Sequence, residues 1–196
     1  MMLTARDNPF SVDRVLQVRY RLLDRSWETL LGDLARHDYR AAIVGRQGAG
    51  KSTLLEDLAA PLADRGYAIH WLRLSRERPR FPPGFWRTFF ISLGPRDVIL
   101  FDGAEQLRRL AWLRFRWLSR RAGGVIVTAH RPGLLPTLID CRTTPELFEQ
   151  IVAQLAGPAA HRWQPLLDQL FAKHDGDIRL ALRELYDLAA SESLPV

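Results

Sequence analysis

The sequence predicts an α/β fold: a three-layer domain with a mainly parallel sheet, followed by a small C-terminal helical lid. Three observations carry this. Gly45–Thr53 is a glycine-rich stretch set between a short apolar run and a helix-period run. Val98, Ile99, Leu100 and Phe101 form an apolar run closed by Asp102, the pattern of a buried parallel strand with a carboxylate at its C-terminal edge. From Pro145 onward only helix-period segments occur. The implied division is 1–144 for the α/β domain with its N-terminal helix and 145–196 for the helical lid.

Taken in order, Asn8-Pro9-Phe10 reads as a turn and Ser11 as the N-cap of a long amphipathic helix ending near His37. Apolar residues at helical spacing from Val12 to Leu34 support it, and His37 fits an exposed C-terminal turn. Arg40–Val44 is a buried strand, and the helix after the glycine-rich stretch runs to about Ala63, with Gly66 suited to the position after a helix end. Tyr67–Leu74 reads as a strand, Phe85–Ile91 as a short aromatic helix and Asp97–Asp102 as a strand. Glu105–Arg121 reads as a helix, and Val125–Thr128 and Thr137–Cys141 as strands. Thr144-Pro145 opens the first lid helix, Gly157-Pro158 breaks the chain, and helices follow over 162–174 and 178–190.

The chain has 196 residues, 47% of them hydrophobic and 26% charged, which is the balance of a water-soluble domain. No apolar run is long enough to span a bilayer, and Met1–Asp7 lacks the apolar core of a signal peptide, so no membrane insertion and a cytoplasmic setting are expected. The single Cys141 excludes an internal disulfide framework and fits a small core residue. The net charge of +6 favours anionic partners. An Arg-rich surface suits DNA or an acidic protein, and an Arg bias in composition is a bland alternative. A homo-oligomer is left open.

Residues Gly45, Arg46, Gln47, Gly48, Ala49, Gly50, Lys51, Ser52 and Thr53 fit the phosphate-cradling pattern G-x-x-x-x-G-K-[ST], in the strand–loop–helix context it requires. Glycines let backbone N–H groups face an anion without Cβ obstruction, and the helix start adds its dipole. Lys51 is expected on the β- and γ-phosphates and the Ser52 hydroxyl on Mg²⁺. Of 28 basic residues all but Lys51 and Lys173 are Arg, so a Lys here answers a specific geometric demand. Ligands of open α/β sheets sit beyond the C-terminal strand edge, so Asp102 is expected to face the same Mg²⁺.

With these parts in view, the chain resembles AAA+-type P-loop ATPases over about residues 8–190. Gly45–Ser52 is similar to their Walker A motif and Val98–Asp102 to their Walker B strand. Thr128 falls where that family places its sensor-1 residue. Gly176–Leu185 resembles the sensor-2 helix of clamp-loader and initiator ATPases, with Arg179 at the arginine. Asn8-Pro9-Phe10 and the helix before the first strand resemble the small ATPases of general-secretion and DNA-transposition systems. The resemblance implies a P-loop NTPase domain that binds ATP with Mg²⁺ and moves a helical lid on hydrolysis. It assigns Lys51, Asp102 and Arg179 to the reaction, and Thr128 and Arg179 to sensing the γ-phosphate.

One departure stands out. The family commonly places a Glu directly after the Walker B Asp to polarise water; here that place is Gly103. Glu105 is either the displaced base or a charge favouring a helix N-terminus. Arg131, Arg120 and Arg121 are candidate arginine fingers. The helix at 105–121 is either a nucleic-acid surface or a core helix with a basic outer face. The second description buries Leu107, Leu110, Leu113 or Arg114, and Trp117 or Leu118. Arg73, Arg76, Arg78 and Arg80 read as loop decoration. Rival functions are a nucleotide-dependent switch without useful turnover, motivated by Gly103, and a small-molecule kinase.

Overall fold

The structure, a computed structural model, describes residues 8–191, so the reading of Met1–Asp7 concerns residues outside it. The chain forms two compact units. One comprises Tyr20–Gly45 and Gly50–Cys141; the other comprises residues up to Arg19, the short stretch Arg46–Ala49, and the chain from Arg142.

The first unit is α/β. The apolar runs form β1 (Arg40–Gly45), β2 (Ala68–Arg73), β3 (Asp97–Asp102), β4 (Gly124–Ala129) and β5 (Thr137–Cys141). They pair in the order β2-β3-β4-β1-β5, every pair parallel. All of β4 is buried, as a central parallel strand covered on both faces should be. Alternation splits the strand residues between two apolar layers. Ala42, Ile99, Phe101, Val125 and Val127 pack with Trp112 and Phe115. Ala41, Ile43, Val98, Leu100 and Ile126 point the other way and are equally buried. Helix α3 (Lys51–Asp57) packs on β1, β3 and β4.

Four expectations about helices in this part of the chain needed correction. The long helix from Ser11 to His37 is two: α1 (Val12–Val15) and α2 (Trp27–Arg36), with no helix between. Ser26 opens α2 by accepting a hydrogen bond from the Thr29 N–H at 3.1 Å, and the Tyr20 N–H is taken by Asp57 Oδ2 at 2.7 Å. Side-chain acceptors thus compete with helix continuation in a segment whose periodicity alone looks unbroken. Helix α3 ends at Asp57, and α4 (Ala59–Ala63) follows; Pro61 lacks an N–H and its ring crowds the carbonyl of Asp57. The aromatic helix shortens to α5 (Phe85–Thr88).

The fourth correction concerns the helix expected over 105–121. A 3₁₀ turn over Ala104–Gln106 precedes α6 (Arg109–Leu118), and a second 3₁₀ turn covers Ser119–Arg121. Its buried side chains are Trp112 and Phe115, while Leu110, Leu113 and Trp117 face solvent. The large rings set the helix phase: Phe115 lies 5.1 Å from Phe101 and 5.8 Å from Phe90, and Trp112 stacks on Phe115 at 5.4 Å.

The second unit is helical, built on α7 (Pro145–Ala156), α8 (Gln164–Lys173) and α9 (Ile178–Ala190). Thr144 caps α7 by accepting from the Leu147 N–H at 3.2 Å, and Asp177 caps α9 by accepting from the Leu180 N–H at 3.1 Å. Phe148, Val152, Ala181 and Leu185 form its centre. Phe10 joins this core, its ring 5.2 Å from Trp163, and the buried Asn8 amide donates to the Tyr186 carbonyl at 2.9 Å. The stretch 8–19 therefore packs with the helical unit, whereas the sequence grouped it with the strands. The reason is long-range: an apolar turn shows its burial but not its partner. Among the described residues no helix is long and apolar enough to cross a membrane.

Candidate functional site

Gly45 ends β1, and Gly45, Gly48 and Gly50 have φ of 151°, 76° and 80°. Gly50 precedes α3 in the left-handed region, and a Cβ there would stand 3.0 Å from the Tyr20 ring. A side chain at this turn would be strained by the backbone conformation and would crowd the ring. Lys51, the first residue of α3, is 8% exposed. Helix α3 is only seven residues long, so its dipole is modest.

Next to Lys51 the side chains converge. Ser52 Oγ donates to Asp102 Oδ1 at 3.0 Å, and Thr128 Oγ1 donates to the same oxygen at 2.7 Å. The Gly103 N–H in turn donates to Thr128 Oγ1 at 2.8 Å. The sheet order builds this network: β4 lies between β1 and β3, and Ile43 is in register with Thr128. Thr128 is 1% exposed, so its hydroxyl is committed on both sides. Three of the residues singled out from sequence, Ser52, Asp102 and Thr128, are thereby brought within hydrogen-bond reach in one unit.

Gly103 is explained by its surroundings. Its φ is 82°, and a Cβ would overlap the Leu74 carbonyl oxygen. No glutamate fits at that place. Glu105 instead lies in the 3₁₀ turn over Ala104–Gln106, with Oε1 2.9 Å from His130 Nδ1. Its other oxygen, Oε2, is buried and has no hydrogen-bond partner among the described residues. A carboxylate oxygen in that condition costs free energy until a donor reaches it.

Sequence reasoning missed several neighbours. Arg73 is not loop decoration: it ends β2, in register with Asp102, its Nη2 2.8 Å from Glu56 Oε1 and its Nε 3.6 Å from Asp102 Oδ2. Arg76, Arg78 and Arg80 do lie outside the strands, exposed. His130 stands just past the end of β4 and was not singled out from the sequence. Tyr20 and Cys141 pack together; burial raises the Tyr20 hydroxyl's pKa far above its ordinary value and raises that of the Cys141 thiol. Arg73 carried a partial signal, since it lies one residue inside the end of the expected strand Tyr67–Leu74, but nothing local marked Asp102 as its partner.

In the helical unit, the loop residue Arg46 pairs with Asp175, and a Cβ on Gly48 would overlap the Asp177 carboxylate. Arg179 occupies the first turn of α9 and is exposed. In the α/β unit Arg131, Arg120 and Arg121 are also exposed.

The donor chemistry suits a hard cation. Among the described residues no group of three or more His, Cys, Asp and Glu is placed to hold a metal. Ser52 and Asp102 offer two oxygen ligands already in contact. Mg²⁺ takes few protein oxygens and completes its shell with phosphate and water, so these two are the residues that could hold it. Comparison with protein-family models and with curated proteins gave no match.

Proposed function

We propose that the chain is an ATP-binding P-loop protein of the AAA+ type, a Mg²⁺-dependent ATPase. The observation that carries this is the Ser52–Asp102–Thr128 network directly beside the buried Lys51. A pattern match in Gly45–Thr53 by accident gives no reason for a carboxylate two strands away to meet the residue after the lysine. A strand order that interposes β4 between β1 and β3 also supports the three-layer NTPase reading.

In this reading the loop amides and Lys51 hold the β- and γ-phosphates. Ser52 and Asp102 would hold Mg²⁺, which would neutralise charge on the phosphate oxygens. Thr128 fixes the orientation of the Asp102 carboxylate through its 2.7 Å bond. Glu105, with one oxygen on His130 and one unpartnered, accepts a proton from attacking water. By the resemblance alone, Arg179 would be the γ-phosphate sensor.

A titration of Mg-ATP into wild type and Lys51→Ala tests the binding site. Binding lost in the variant is expected; undiminished binding refutes the assignment. A second reading, the nucleotide-dependent switch, is favoured by Gly103 alone. ATP binding with no turnover, in a protein whose Glu105→Gln variant behaves identically, selects it. Phosphate transfer to an acceptor other than water selects the small-molecule kinase.

A further inference from the structure

Helix α6 presents an apolar stripe on the side away from the core. Leu110, Leu113 and Trp117 are 82%, 57% and 65% exposed, whereas Trp112 and Phe115 on the inner side are 7% and 0%. At about 100° per residue the three exposed residues lie in one line over two turns, opposite the buried rings. Arg114 borders the line on one side, and Arg109 and Arg116 border it on the other. No acidic side chain among the described residues forms an ion pair with these three arginines. Arg114 lies over the Trp86 ring at 5.3 Å, which fixes that edge of the stripe. Scattered surface leucines are ordinary; three in register at helical spacing, with a Trp, are the anchor pattern of a helix-in-groove contact.

We propose that this face of α6 docks an acidic amphipathic helix of a partner protein. Charge complementarity chooses the occupant. A second copy of this chain, paired through the same face, would set arginine against arginine in a protein of net charge +6. Nucleic acid would satisfy the arginines but lay charged phosphate on Leu110 and Leu113, which have no ring for a base to stack on. A helix with leucines at i, i+3 and i+7 and glutamates on both flanks satisfies the apolar line and both basic borders. The surface is carried by α6 alone and stands whether or not the chain hydrolyses ATP.

The test uses the full chain and a labelled synthetic 18-residue peptide with that leucine spacing and glutamate flanks. A scrambled peptide of identical composition and a 20-nucleotide single strand are run beside it. Anisotropy is expected to show the patterned peptide binding at least tenfold tighter than the scrambled one. Leu110→Ser and Trp117→Ala should each remove most of that difference. Arg109→Glu with Arg116→Glu should weaken the patterned peptide at least tenfold, an effect that salt reproduces in wild type. Because the substituted side chains are exposed, an unchanged thermal melt accompanies each variant. Equal binding of both peptides, or patterned binding indifferent to all of these substitutions, overturns the proposal. Loss of oligonucleotide binding in Trp117→Ala with the peptides unaffected overturns it in favour of nucleic acid. Self-association that disappears in Leu110→Ser overturns it in favour of a second copy.

Discussion

Ser52 and Asp102 are joined by a 3.0 Å hydrogen bond across the width of β4, and Thr128 Oγ1 donates to the same Asp102 oxygen at 2.7 Å. One carboxylate oxygen therefore collects two hydroxyl donors from two different elements, a helix start and a strand end. The arrangement holds Asp102 in one orientation whatever else approaches its second oxygen.

Removing the Thr128 hydroxyl should be costly in a specific way. Thr128→Val preserves shape but leaves the Gly103 N–H and Asp102 Oδ1 each short of one partner, in a site 1% exposed at Thr128. We expect a loss of about 1–3 kcal/mol in denaturant unfolding of the α/β unit, and Thr128→Ser should stay near wild type. Equal stability of Val and wild type would show that the network is not under tension from burial.

Gly103 should not tolerate the acid that the AAA+ pattern leads one to expect. A Cβ at φ 82° runs into the Leu74 carbonyl. Gly103→Ala is expected to cost about 1–3 kcal/mol by chemical denaturation, and Gly103→Glu to lower turnover and stability together. A Gly103→Glu protein with raised turnover would contradict this steric account.

Glu105 has a different signature. Glu105→Gln should lower ATP turnover by about 10²-fold or more while leaving nucleotide affinity within twofold, since a general base acts on the chemical step. If turnover persists, the carboxylate serves only its contact with His130, 2.9 Å away.

At the far end of β3, Asp97 accepts from His70 at 2.6 Å and from the Gly94 N–H at 2.6 Å. The His70 hydrogen bond, first, and the Gly94 N–H hold the Asp97 carboxyl below its ordinary value. A folded pKa depressed in this way stabilises the native state above the ordinary aspartate range of about pH 4, and that stability is lost as pH falls through the folded value. Unfolding midpoints measured across the acid range should fall less steeply below about pH 4 in His70→Ala than in wild type. Parallel profiles would remove the His70 contribution.

The strands were legible because β1, β3 and β4 are short apolar runs and β2 and β5 mix apolar with polar residues between turn signals, and all five stand close to their expected places. The C-terminal helices were legible through Thr144-Pro145 and Asp177, whose caps are local chemistry. Helix phase in α6 was not. Leu110, Leu113 and Trp117 offer as good an apolar stripe as Trp112 and Phe115, and only the ring-filled space beneath the sheet, lined by Phe90 and Phe101, selects the second. The length of the N-terminal helix failed for a related reason, since Asp57 takes the Tyr20 N–H from 37 residues away.

By itself the sequence determined where the strands lie, the glycine-rich turn with Lys51 and Ser52, and the acid at the end of β3, because each depends on neighbours within a few residues. Tertiary structure alone decided that β4 would stand between β1 and β3 and so bring Thr128 to Asp102. It also decided that Leu74 would press on Gly103 and that Arg73 would flank Asp102. Strand order and side-chain approach are settled by long-range packing, where the competing arrangements satisfy local preferences equally well.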